Sequence, residues 1–348
     1  MKVTLICLEW PTSEHSGGVS RYAYRLAQGL RELVDLTIVT VDSGLDLPGA
    51  TMVKVPSSSS RFSRYYVSPL HIRASLKSID SEIIHSFGDD WMLGSSKTPL
   101  VRTFFGSSWS EAKSSTGLRR LNHAVLAVTE KISQWRAATR IAIAPESMEL
   151  FDCQFLMPPV TSVPMQPERV PSPNPSVVFV GSFYGRKRGH LVEQAVEDAS
   201  HSLGQKVTLQ VVGPESDRDN WAKGTMHVSG ASDDEVQRLI NDSWVLMAPS
   251  QYEGFGIPAF EALALGVPVI ATSNPGSRYL AELTKESGAL TVVDDDSLLS
   301  VRLYERLRQG PTLQSRDYTA AQMAIAEIVE AASAQRLVGS IYSPLLIA

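Results

Sequence analysis

Along the first 150 residues, short apolar runs alternate with stretches whose apolar positions recur every three or four residues. Val3 to Leu8, Leu36 to Val41, Thr51 to Val55, Glu82 to His85, Leu100 to Phe105 and Arg140 to Ala144 are short and end at turn formers, so they read as buried strands. Between the first two, Val19, Tyr22, Ala23, Leu26, Ala27 and Leu30 line one face of a helix. Further helices are expected around 70–77, over 117–129 and over 131–138. Strand, helix and strand in alternation imply a parallel sheet with crossover helices.

The pattern then breaks and restarts. Pro158, Pro159, Pro164, Pro167, Pro171, Pro173 and Pro175 crowd one short span, which neither a helix interior nor a central strand can absorb. A domain boundary is expected there, with residues 1–163 before it and 164–324 after it. Strands are expected again at Ser176–Val180, Val207–Val212, Met226–Gly230, Val245–Ala248, Val267–Ala271 and Ala289–Val293. Leu191 to Ala199 form a helical face, Ser232 and Glu235 have capping-box spacing, and 318–339 is a long helical stretch.

One unit of this second half carries chemistry. Between the strands at 245–248 and 267–271 lies Ser250-Gln251-Tyr252-Glu253-Gly254-Phe255-Gly256-Ile257-Pro258-Ala259-Phe260-Glu261. Pro258 suits a first helical turn and Gly266 a helix stop. Strand, glycine loop and helix aim backbone N–H groups and a positive helix end at one spot, which suits an anionic phosphate. Glu261 sits among Phe260, Ala262 and Leu263, where a carboxylate needs hydrogen-bond partners, for example sugar hydroxyls. The loop after the strand ending at Gly181 holds Arg186-Lys187-Arg188, whose guanidinium forks and ammonium suit a diphosphate. Near the start, Gly17-Gly18 follows the first strand, where open α/β sheets place ligands. His85 ends a buried strand and reads equally as a core histidine or as a ligand contact.

Bulk properties change the picture only by exclusion. The 348 residues carry a net charge of −5, which argues against nucleic acid as the main partner. No apolar run reaches the ~18 residues of a membrane span. Cys7 and Cys153 lack metal-ligand spacing and read as reduced thiols, which fits the cytoplasm. Asp294-Asp295-Asp296 reads as a turn and helix cap, and no Asp-x-Asp metal motif lies in a suitable loop. No basic amphipathic helix stands out, so a soluble sugar or natural product is expected as partner in preference to a lipid. Tyr65, Tyr66, Trp91 and Trp109 are candidates for an aromatic-lined surface suited to a sugar or small natural product, beside the polar loop Ser57 to Arg61.

Taken in order, Gly17-Gly18-Val19, Val180-Gly181 with Arg186-Lys187-Arg188-Gly189, Glu253 with Glu261, and Gly266-Val267-Pro268-Val269-Ile270-Ala271-Thr272 resemble the retaining glycosyltransferases of family 4, over nearly the whole chain. The resemblance implies the α/β GT-B fold: two Rossmann-like parallel-sheet domains facing a cleft, with the C-terminal helix (about 325–348) crossing back to the N-terminal domain. It implies a nucleoside-diphosphate sugar as donor, UDP- or GDP-linked, no cofactor and no metal. Glu253 would contact the donor sugar and Glu261 the ribose. The backbone of Gly254, Phe255, Gly256 and Ile257 would meet sugar and phosphate. Arg186, Lys187 and Arg188 would neutralise the diphosphate beside Gly181, with Gly18 approaching it. The nucleobase would lie near Gly213 and Val228, and His85 would join the catalytic set.

Four departures from the family pattern stand out. Ser182 replaces an Arg often found after the glycine, Phe87 and Phe105 replace histidines, and Arg278-Tyr279 stand where a Glu is common. They keep two rival readings open: an epimerase or hydrolase on the same nucleotide sugar, and a silent nucleotide-sugar-binding partner protein.

Overall fold

A computed structural model describes the chain apart from residues 13–16, 42, 57–62, 95–96, 114–116, 161–168, 286, 314 and 348, and the side chains of 64, 118–119, 315–318 and 330–331. The chain divides into two compact units, Met1–Thr161 with Val329–Ala348, and Ser162–Ile328.

The first unit is built on β1 (Lys2–Ile6), β2 (Asp35–Val41), β3 (Thr51–Val55), β4 (Ile83–Ser86), β5 (Leu100–Phe104), β6 (Thr139–Ala142) and β7 (Phe155–Leu156). They pair in the order β3-β2-β1-β4-β5-β6-β7. The ladders are parallel, with Leu5 opposite Ile38 on one side and His85 on the other. The second unit repeats the scheme with β8 (Ser176–Val180), β9 (Thr208–Val212), β10 (Met226–Val228), β11 (Val245–Ala248), β12 (Val269–Thr272) and β13 (Leu290–Val293), ordered β10-β9-β8-β11-β12-β13. Val177, Val178 and Phe179 are almost wholly buried because helices cover both faces of a parallel sheet. Their core includes Val192, Val211, Met247 and Leu303.

In each unit the chain leaves the first strand to one side and returns to the other. The loops after β1 and β4, and after β8 and β11, therefore diverge and open a crevice at the strands' carboxyl ends.

Some helices differ from expectation. Residues 117–138 do not hold two helices: one helix runs Gly117–Arg136. The C-terminal stretch breaks after Ala331, where Ser333 accepts a hydrogen bond from Arg336 N and caps a new helix at Ala334. After β12 a helix runs Pro275–Leu283, started by Asn274 and Ser277, which form a reciprocal capping box. Among the described residues no helix is long and apolar enough to cross a membrane. The Ser57 to Arg61 loop and part of the proline-rich span lie outside the described residues.

Candidate functional site

The switch point of the second unit brings the two polar loops together. After β8 the chain passes Gly181 and makes a short turn, Gly185–Lys187. After β11 it passes Ser250 and enters the loop to Gly256. Gln251 N bonds Arg186 O at 2.9 Å, tying the loops by their backbones. Glu253 then lies between two cations: Lys187 Nζ is 2.5 Å from Oε1 and Arg186 Nη1 is 3.0 Å from Oε2. Its side chain is only 15% exposed. Burial alone raises its pKa, but Lys187 and Arg186 outweigh burial, and the carboxyl is held down at about 2. Glu253 is thus ionised at any ordinary pH.

Small residues make this geometry possible. A Cβ on Gly181 would stand 2.9 Å from Cβ and Cγ of Lys187, so the glycine lets the lysine stem cross it. A Cβ on Gly276 would stand 2.7 Å from the Phe255 carbonyl, while Gly276 N donates to Glu253 O at 2.9 Å and seats the loop. Gly256 takes φ +88, a left-handed conformation open to glycine at little cost, and caps the helix Ile257–Ala264. The helix's own ladder begins at Phe260 N on Gly256 O, so the N–H groups of Ile257 and Ala259 have no acceptor within the helix. A small pocket lies beneath, lined by Lys187, Glu253, Gly256, Ala259, Asn274 and Met247 among others. Phe255 is buried and packs edge-on against Phe260 and Tyr279. Glu261, in the same helix, is 1% exposed.

Two expected site residues are placed differently. Arg188 does not join Arg186 and Lys187 on Glu253. Its Nε donates to Pro249 O at 2.6 Å, its Nη1 to Asp296 at 2.6 Å and its Nη2 to Thr272 Oγ1 at 3.1 Å. It adopts φ +56 at the start of the helix Gly189–Leu203, and this turn swings the guanidinium away from Lys187 and across three loops. His85 sits wholly inside the first unit. Its ring nitrogens are hydrogen-bonded to Tyr342 Oη at 2.5 Å and Thr103 Oγ1 at 2.8 Å. Burial, with the Arg102 charge nearby, pushes its pKa down to about 3. It is a neutral, fully buried histidine with both ring nitrogens hydrogen-bonded within the first unit.

Gly18 opens the helix Gly18–Leu30 in the first unit. Gly213 and Val228 meet at the ends of β9 and β10, where Gly213 N donates to Val228 O at 3.0 Å. A Cβ on Gly213 would be 2.7 Å from Gly181 O, so only glycine permits this approach. Sequence reasoning missed Asn274, Gly276, Thr272 and Asp296. The Asn274-Pro275 pair with Ser277 was the signal available, since it is a helix-start pattern. Among the described residues no three His, Cys, Asp or Glu side chains gather as for a metal ion.

Two parallel α/β units, with a carboxylate–cation cluster at the switch point of the second, form a two-domain architecture of Rossmann-like halves. Comparison with known proteins makes the assignment specific. The family model described as Glycosyl transferases group 1 matches residues 164–323, and that described as Glycosyltransferase Family 4 matches residues 16–151. This chain belongs to the family 4 glycosyltransferases of GT-B fold. It is similar in fold to WaaG, a glycosyltransferase involved in lipopolysaccharide biosynthesis, with TM-score 0.75 and 18% identity over 97% of this chain and 99% of that one. Sucrose-phosphate synthase from Thermosynechococcus elongatus gives TM-score 0.78 and 18% identity, covering 99% of each chain. Anabaena HepE, solved in complex with UDP and glucose, gives 0.71 and 14%, again covering 99% of each chain. An MMP alpha-(1->4)-mannosyltransferase of Mycolicibacterium hassiacum is 40% identical over 77 residues, which is 21% of this chain and 18% of that protein.

Proposed function

We propose that this chain transfers a sugar from a nucleoside-diphosphate sugar to an acceptor hydroxyl, with retention at the anomeric carbon and with protein cations doing what a metal does elsewhere. The observation that carries the reading is Glu253 held between Lys187 and Arg186 beside a helix N-terminus at the switch point. The bond from the anomeric carbon to the β-phosphate oxygen breaks, and negative charge builds on that phosphate. Lys187 and Arg186 stabilise it, aided by the N–H groups opening the helix at Ile257. Arg186 makes good the cation absent at Ser182. Glu253 accepts hydrogen bonds from the donor sugar and Glu261 from the ribose. The acceptor oxygen attacks on the face the phosphate leaves, and its proton passes to a phosphate oxygen, so no protein nucleophile is required.

The UDP and UDP-glucose complexes of HepE support a UDP-linked hexose as the first donor to try. A cytoplasmic setting belongs to the same reading, supported by two buried cysteines that are both free thiols. The test is a thermal-shift panel of UDP-, GDP-, ADP- and dTDP-sugars with chelator present, followed by NMR of the product anomer. One donor is expected to raise Tm with chelator present and to yield a retained linkage. A flat panel defeats the donor assignment. Turnover that needs no acceptor points to a hydrolase or epimerase instead, and inversion or loss of turnover with chelator defeats the mechanism.

A further inference from the structure

The helix Gly117–Arg136 is polar inside and apolar outside. Its inward residues are hydrogen-bonded or ion-paired: Asn122 accepts from Tyr66 Oη at 3.3 Å, and His123 Nδ1 lies 3.6 Å from Glu111. Further along, Glu130 accepts from Ser108 Oγ at 2.6 Å and Ser133 Oγ donates to Asp90 at 2.7 Å. The opposite face presents Leu121 at 64% exposed, Val125 at 40%, Val128 at 61% and Trp135 at 86%. Their spacing of four, three and seven residues stacks them in one stripe on a 3.6-residue period. A solvated helix ordinarily buries such a stripe, so its exposure calls for an occupant.

Charge says which occupant. The helix holds three arginines and one lysine against one glutamate, a net +3, in a chain whose total is −5. Arg120, Lys131 and Arg136 are exposed and fall on the two flanks of the stripe, where Lys131 Nζ also donates to Gln134 Oε1 at 2.9 Å and Leu150 O at 3.1 Å and Arg136 to Trp91 O. The one acid, Glu130, points inward to Ser108. An apolar stripe with an aromatic residue, bordered by cations and free of exposed acid, matches an interfacial helix on an anionic bilayer. A second copy of this chain would bring two like-charged +3 faces together.

We propose that this face of the helix Gly117–Arg136 docks on an anionic lipid surface. The stripe enters the headgroup boundary, and Arg120, Lys131 and Arg136 meet lipid phosphates. The sequence concealed the feature because an amphipathic pattern does not say which face is inside. The proposal does not depend on the donor site.

The experiment is co-sedimentation of the full chain with vesicles of phosphatidylcholine alone and of phosphatidylcholine mixed with phosphatidylglycerol, at low and high salt. The expected result is binding to the mixed vesicles that falls with salt. Val128→Glu combined with Trp135→Glu, both at exposed positions, should weaken binding at least about tenfold with an unchanged Tm. Arg120→Gln and Lys131→Gln should each cost about fivefold. Wild-type chain that stays in the supernatant, or that binds phosphatidylcholine alone equally well, overturns the proposal. So does a double variant that sediments like wild type, or a wild-type dimer in the ultracentrifuge that the double variant dissolves.

Discussion

The two units share one strand order around their switch points, yet they fill those points with opposite materials. In the second, the loops after β8 and β11 bring Lys187, Arg186 and Glu253 into a charged cluster. In the first, Tyr22 of the helix after β1 joins His85 and Phe87 at the end of β4, Phe105 after β5, and Tyr342 in a ring cluster. Tyr22 and Phe105 have centroids 4.9 Å apart at 85°, and His85 and Phe87 lie 4.7 Å apart. The shared topology supplies a crevice position, but the side chains decide whether it is a charged site or a packed core. The residue differences at Phe87 and Phe105 are coherent in this light. They surround His85 with apolar rings, and a histidine so placed stays neutral.

The contrast is testable in four ways. The largest effect concerns His85. Its folded pKa is about 3, against 6.5 for an ordinary imidazole. Below pH 6.5 the unfolded chain takes up a proton that the folded chain refuses, so stability is complete above 6.5 and falls as pH drops toward 3. The loss reaches on the order of 5 kcal/mol. His85→Leu should flatten that acid limb in calorimetry, while costing about 1–3 kcal/mol at neutral pH by leaving buried hydroxyls unpaired. An unchanged acid limb would show that His85 is not buried neutral.

Next comes Lys187→Ala, which should lower kcat by about 10²–10³, or roughly 3–4 kcal/mol of barrier, in a donor-turnover assay. His85→Leu should change kcat far less than this at neutral pH. If the two variants exchanged these behaviours, the comparison of the units would collapse.

The third is the acid limb of the second unit. Glu253 is held at about 2, against an ordinary value of 4.5, so its ion pairs contribute fully above 4.5 and are lost as pH falls toward 2. This is worth on the order of 3 kcal/mol. The first unit should therefore soften at a higher pH than the second, and Glu253→Gln should remove the lower transition's pH dependence. The smallest effect is Asp296→Asn. This side chain is 46% exposed and Arg188 keeps its bonds to Pro249 and Thr272, so a chemical melt should show a loss of about 0.5–1 kcal/mol.

Much of this could be read in advance where local rules and function agree. The parallel strands and the helix start at Pro258 follow from apolar runs and proline chemistry, and a shared site for Glu253 and Lys187 was implied by the family resemblance. Arg188 could not be told from Arg186 and Lys187 in a basic run, because its left-handed backbone turns it away. Asp296 was legible as part of an acidic turn, in which Asp295 is the cap, but not as Arg188's partner, being 108 positions away in the chain. The outward stripe on Gly117–Arg136 was invisible for a similar reason: periodicity marks a face, and only packing says which way it looks.

The sequence by itself determined the alternating α/β build, the proline-rich break near residue 160 and the family, since these rest on periodicity, backbone chemistry and ordered motifs. The tertiary structure decided the fates of single polar groups. His85 became core because Tyr342, 257 residues later, closes over it. Glu253 became strongly acidic because Lys187, 66 residues earlier, reaches it across Gly181. The physical reason is common to both. The free energy of a buried polar group is set by partners within a few ångströms, and those partners are chosen by the fold rather than by neighbours along the chain.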